Sequence, residues 1–120
     1  MQILVNSDER ICCDSELISR VEGVVEGTLE GFTERISRVE VGLSDLNNSG
    51  VGEPDKCCVM EARLLGLKPL AVSHEAATLA EAIHGAAAQL RRSLAGYLRA
   101  VVSGKSEVPI LSARPADQDA

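Results

Sequence analysis

Three short segments of alternating apolar and polar residues follow one another between Arg38 and Glu75, and one long stretch of helical periodicity comes after them. A two-residue period places successive side chains on opposite faces of a strand, whereas a 3.6-residue period lays one apolar stripe along a helix. The order predicts three strands able to pair antiparallel and a helix that covers one face of them. In Arg38–Asp45, Val39, Val41 and Leu43 point one way and Glu40, Gly42 and Ser44 the other. In Cys57–Leu65, Cys58, Met60, Ala62 and Leu64 share a face opposite Cys57, Val59, Glu61 and Arg63. Leu70–Glu75 is the third strand, joined to the second through Gly66–Pro69. Asn47, Asn48, Gly50, Gly52 and Pro54 give Leu46–Lys56 the chemistry of a turn. One side of such a sheet is covered by helix and the other is partly solvated.

A strand and a helix precede this unit. Met1–Ser7 starts as a strand, with Ile3 and Val5 on one face and Leu4 on the other, and Asp8–Cys13 is a connector. Asp14 or Ser15 can cap a helix beginning near Glu16, because a side-chain oxygen there accepts from first-turn amides that have no helical partner. Leu17, Val21, Val24, Val25 and Phe32 fall on its apolar side, and Glu22, Glu26 and Glu30 mark the other. Gly23, Gly27 and Gly31 recur every fourth residue, each costing about 0.8–1 kcal/mol relative to Ala inside a helix. Either they form a smooth groove for the second helix or another copy of the chain, or this is a marginal helix held by tertiary packing.

The second helix begins near Ala76 or Thr78 and runs to about Val102, with Leu79, Ile83, Ala86, Leu90, Leu94, Tyr97 and Val101 as its apolar stripe. Arg92 and Arg99 fall close together on the far side, with Arg91 at the margin. Three guanidinium groups there suit a phosphate clamp. They equally suit a solvated helix whose cations favour the C-terminal half of the macrodipole. His84 falls at the edge of the stripe. Ser103–Ala120 loses periodicity and reads as a flexible C-terminal tail, leaving residues 1–102 as a single domain.

Charge is segregated along the chain. The 120 residues carry a net −6, yet residues 1–34 hold eight acids against two arginines, while residues 83–106 hold three arginines and one lysine with no acid. Local potential governs binding more than the total does. With one Phe, one Tyr and no Trp, the core must be aliphatic, and no aromatic platform is present for stacking bases. No apolar run nears the ~20 residues of a membrane span, and the start lacks the pattern of a secretory signal; a cytoplasmic protein is expected. The vicinal pairs Cys12-Cys13 and Cys57-Cys58 lack zinc and redox spacings, and buried small hydrophobes are the expected role for most of the four. His74-Glu75 stands without a nucleophile, a phosphate loop or a paired carboxylate. The chain reads as a binding protein, not an enzyme, with no cofactor and no metal.

Three phrases in this order carry a resemblance: Met1-Gln2-Ile3 at the start; Arg35-Ile36-Ser37-Arg38-Val39-Glu40-Val41 entering the second strand; and Thr78-Leu79-Ala80-Glu81-Ala82-Ile83-His84-Gly85 leading to Leu90-Arg91-Arg92-Ser93-Leu94. From about Met1 to Leu98 the chain resembles the ribosome hibernation-promoting factor family, also called ribosome-associated inhibitors or subunit-interface proteins, and among them the short members without a dimerising C-terminal domain. The fold expected is α+β, β-α-β-β-β-α, with one four-stranded sheet and two helices on one face. That arrangement also resembles double-stranded-RNA-binding domains, which read RNA through shape, phosphates and 2′-hydroxyls.

The resemblance implies a stress-response translation regulator that binds the small ribosomal subunit at 16S rRNA in the decoding channel, occludes mRNA and tRNA, and favours inactive, stored ribosomes. It points to Arg92, with Arg91 and Arg99, as rRNA-binding residues, and Arg35, Arg38, Arg63 and Lys68 of the sheet region stand as secondary candidates. Gln89, Gly96 and Leu98 occupy places where the family typically has a base. A second reading is therefore a divergent interaction module of the same fold that no longer binds the ribosome. It could self-associate weakly through the glycine-striped helix or the open sheet face.

Overall fold

The computed structural model describes residues 1–46 and 55–102. Along the chain these form β1 (Gln2–Ser7), α1 (Ser15–Thr28), a 3-10 turn (Thr33–Arg35), β2 (Ile36–Asp45), β3 (Lys56–Leu64), β4 (Leu70–Ala76) and α2 (Leu79–Val102). The strands make one four-stranded sheet in the order β1-β2-β3-β4. β1 runs parallel to β2, and the β2–β3 and β3–β4 pairs are antiparallel. A parallel pair requires a crossover connection, which α1 supplies. This is the β-α-β-β-β-α order expected from periodicity. The turn expected in 46–56 and the tail of 103–120 lie largely outside the described residues.

Register explains which side of each strand is apolar. Ile3 stands beside Val39 and Val5 beside Val41; across the next pair Val39 meets Ala62, Val41 meets Met60 and Leu43 meets Cys58; Ala62 and Met60 then meet Leu70 and Val72. This face is covered by Val21, Val25 and Leu29 near α1 and by Ala82, Ile83, Ala86, Ala87, Leu90, Leu94 and Tyr97 of α2, all buried. Each fully buried Val or Leu contributes about 1.5–3 kcal/mol relative to an exposed one, so the aliphatic core holds both helices on the same side of the sheet.

α1 starts where Asp14 accepts a 2.9 Å hydrogen bond from the Leu17 amide. It stops at Thr28, before the Phe32 expected from the sequence pattern, because the chain turns there: Leu29 donates to the Val25 carbonyl and Gly31 takes φ 96°. Phe32 packs on the core from the turn that follows, not from the helix face. Of the two readings of the glycine spacing, a groove against α2 or a helix held by tertiary packing, the groove against α2 does not form. Gly23 and Gly27 face solvent with nothing within 4 Å of the position a Cβ would take, and Gly31 lies outside the helix. Close approach occurs instead at Gly85 of α2, where a Cβ would overlap the imidazole ring of His74 on β4. No helix among the described residues is long and apolar enough to cross a membrane.

Candidate nucleic-acid interface

The topology gives the sheet two distinct ends. β1 and β2 start at the end where β3 finishes and β4 begins, since Gln2 pairs with Arg38, Arg38 with Arg63, and Ala62 with Leu70. Arg35 immediately precedes β2, and its carbonyl accepts from the Leu65 amide at 3.0 Å. Lys68 lies in the short β3–β4 connection at the same end. α2 reaches this end in its second half: Arg91 Nη1 donates to the Thr28 carbonyl at 2.8 Å and to the Glu30 carbonyl at 3.1 Å, at the C-terminus of α1. Arg92 follows directly, and Arg99 lies two helical turns further on. The fold therefore brings the helix cations and the sheet cations, separate sets in the sequence, to one end of the molecule.

The opposite end is acidic. Asp8 accepts from the Arg10 amide and, through its other oxygen, from the Asp45 amide, both at 3.0 Å. Asp14, Glu16, Asp55, Glu75 and Glu81 sit on the termini and turns that surround it. Lys56 there is held by Asp55 and Asp45. Its pKa is raised, first by the hydrogen bond to Asp55, with burial acting against the shift.

The seven candidate residues are not equivalent. Arg92, Arg35 and Lys68 are exposed and have no side-chain partner among the described residues. Arg99 is exposed near the end of α2. Arg91 already has two structural tasks, because it caps the free carbonyls at the end of α1 and lies 5.0 Å from the centroid of the Phe32 ring. On the open sheet face Arg38 Nη2 pairs with Glu40 Oε2 at 2.8 Å. Arg63 reaches the same oxygen at 3.9 Å and Glu61 at 3.6 Å.

Sequence reading missed the part played by Glu40 and Glu61. The alternation already put Glu40 on the face of β2 that carries Arg38, two residues away, but the meeting of Arg63 with Glu40 depends on the β2–β3 register, which no single strand encodes.

The cysteines divide by environment. Cys58 is buried on the inner face with its thiol pushed up to about 12, chiefly by burial. Cys57 and Cys13 are half-buried and Cys12 is exposed, so the small-hydrophobe role expected for most of the four holds fully for Cys58 alone. Among the described residues no group of three or more His, Cys, Asp or Glu side chains is arranged to hold a metal ion.

No protein-family model matches the sequence, and no curated protein matches it. Solved structures do match its fold. A ribosomal subunit interface protein from Coxiella burnetii superposes with a TM-score of 0.67 at 13% identity, over 82% of this chain and 99% of that one. The N-terminal domain of Protein Y from Thermus thermophilus superposes with a TM-score of 0.61 at 18% identity, over 78% of this chain and 96% of the domain. The fold expected from the resemblance is therefore the fold observed, in an α+β chain whose sequence is distant from both structures.

Proposed function

We propose that this protein is a ribosome-associated translation regulator, non-enzymatic and cytoplasmic, that binds the small subunit through 16S rRNA in the decoding channel. The observation that carries the reading is the fold match, which covers almost the entire length of a ribosomal subunit interface protein and of the Protein Y N-terminal domain. The charge layout supports it. Arg92, Arg99, Arg35 and Lys68 are exposed at one end of an otherwise acidic molecule, so rRNA phosphates attract that end while the acidic end is repelled. Orientation follows from this polarity, and affinity comes from counterion release, which is salt-sensitive and largely independent of base sequence. A domain wedged there by its basic end occludes mRNA and tRNA and holds ribosomes in an inactive, stored form under stress.

Co-sedimentation with 30S subunits and 70S ribosomes over a salt series tests this. Binding that weakens with salt and is lost in Arg92→Glu/Arg99→Glu is the expected result; no association at low salt overturns it. One observation favours a second reading, a divergent interaction module of the same fold: Arg38, Arg63 and Arg91 are already engaged within the protein. On that reading the wild-type chain stays in the supernatant at every salt concentration.

A further inference from the structure

The open face of the sheet carries a charge arrangement that packing does not explain. At the basic end Gln2, Arg38 and Arg63 stand side by side across β1, β2 and β3. In the next outward row Glu40 and Glu61 are also side by side. One oxygen, Glu40 Oε2, takes Arg38 Nη2 at 2.8 Å and faces Arg63 Nε at 3.9 Å. Two guanidinium groups thus converge on one anionic oxygen. The Arg38 Nε atom, meanwhile, is buried and has no hydrogen-bond partner. A buried donor without an acceptor is uncommon in a folded protein and calls for an explanation.

We propose that Arg38 and Arg63 form a two-arginine clamp for an RNA phosphodiester, and that Glu40 occupies it as an internal stand-in for the phosphate. Guanidinium groups offer planar forks of N–H donors that match phosphate oxygens, and a phosphate has more acceptor oxygens than the single carboxylate oxygen now shared. The arginine and glutamate side chains are one-third or more exposed, and exposed ion pairs are weak. A phosphate arriving with the rest of an RNA backbone can therefore displace Glu40 and provide an acceptor near Arg38 Nε. Glu40 then sets the affinity: it keeps two arginines of an acidic protein from binding stray polyanions and releases them to RNA already held at the same strand ends by Arg35 and Lys68. The proposal rests on the RNA-binding reading of the basic end and adds its regulation.

The test is fluorescence anisotropy with a labelled single-stranded oligouridylate over a salt series, using wild type, Glu40→Gln and Glu75→Gln. Glu75 is exposed at the far end of the same face, so its substitution changes net charge equally without touching the clamp. Glu40→Gln should bind several-fold tighter, with a salt slope steeper by ~0.7 for each arginine released, and Arg38→Gln/Arg63→Gln/Glu40→Gln should lose that gain. Equal effects of Glu40→Gln and Glu75→Gln, or no tightening at low salt, overturn the proposal. An oligoglutamate peptide that binds Glu40→Gln as tightly as the RNA overturns the choice of ligand. Glu61→Gln, which loosens only Arg63, supplies a second variant should Glu40→Gln unfold. A Glu40→Gln gain with no wild-type co-sedimentation leaves the clamp standing and removes the ribosomal reading; co-sedimentation lost in Arg92→Glu/Arg99→Glu with no Glu40→Gln gain does the reverse.

Discussion

Arg91 ties α2 to the C-terminal end of α1 through two hydrogen bonds to backbone carbonyls. Its helical phase marked it as a marginal member of a cationic face, but its guanidinium closes the end of α1 and lies over Phe32. Charge-assisted hydrogen bonds and the ring contact together make Arg91→Ala destabilising by about 1–3 kcal/mol, whereas Arg92→Ala should stay within about 0.5 kcal/mol of wild type; paired urea denaturation curves measure both. The sequence could not show this, since Thr28 and Glu30 lie 63 and 61 residues away from Arg91. Cys58 is the complementary case, its burial legible from strand alternation alone. Its thiol, raised from an ordinary value of 9.0 to about 12, stays protonated in the folded state where an unfolded chain ionises. Its contribution is therefore complete below pH 9 and declines as the pH climbs toward 12, by up to about 1.4 kcal/mol per pH unit. Alkaline unfolding of Cys58→Ala should lack that part of the slope.

At the scale of elements, the strands and α2 were legible almost to the residue because each carries an unambiguous period and a capping or turn signal. The inner rows formed by Val39, Val41 and Leu43 with Cys58, Met60 and Ala62 are the alternation made into a sheet. The end of α1 was not legible, because Phe32 falls in helical phase by coincidence and the turn at Gly31 breaks the helix before it. Nor was the meaning of the glycines, since spacing cannot distinguish a contact from open space. Two glycines now make opposite predictions in thermal melts. Gly27→Ala, on the exposed side of α1, should stabilise by about 0.8–1 kcal/mol and leave the oligomeric state by light scattering unchanged. Gly85→Ala should destabilise by about 1–3 kcal/mol, because the new methyl group meets the His74 ring.

For the whole molecule, the property that matters is polarity. Regional charge sums revealed an acidic start and a basic second helix, but they could not reveal that Arg35, Arg38, Arg63 and Lys68 fold to the same end as Arg91, Arg92 and Arg99. That juxtaposition comes from the strand order and from α2 running back along the sheet. It gathers scattered cations at one end of an acidic protein, those of the sheet on the open face and on the adjoining turns and those of α2 on the helix layer. Self-association through the open sheet face fits this layout poorly, because Arg38, Glu40, Glu61 and Arg63 would have to be desolvated on both copies. The most direct test is 30S co-sedimentation of two charge-matched variants, Arg35→Glu/Lys68→Glu at the basic end and Arg10→Glu/Arg20→Glu toward the other. Loss of binding in the first with wild-type binding in the second is the predicted result; equal loss in both, or loss in the second alone, would contradict a binding surface at the basic end.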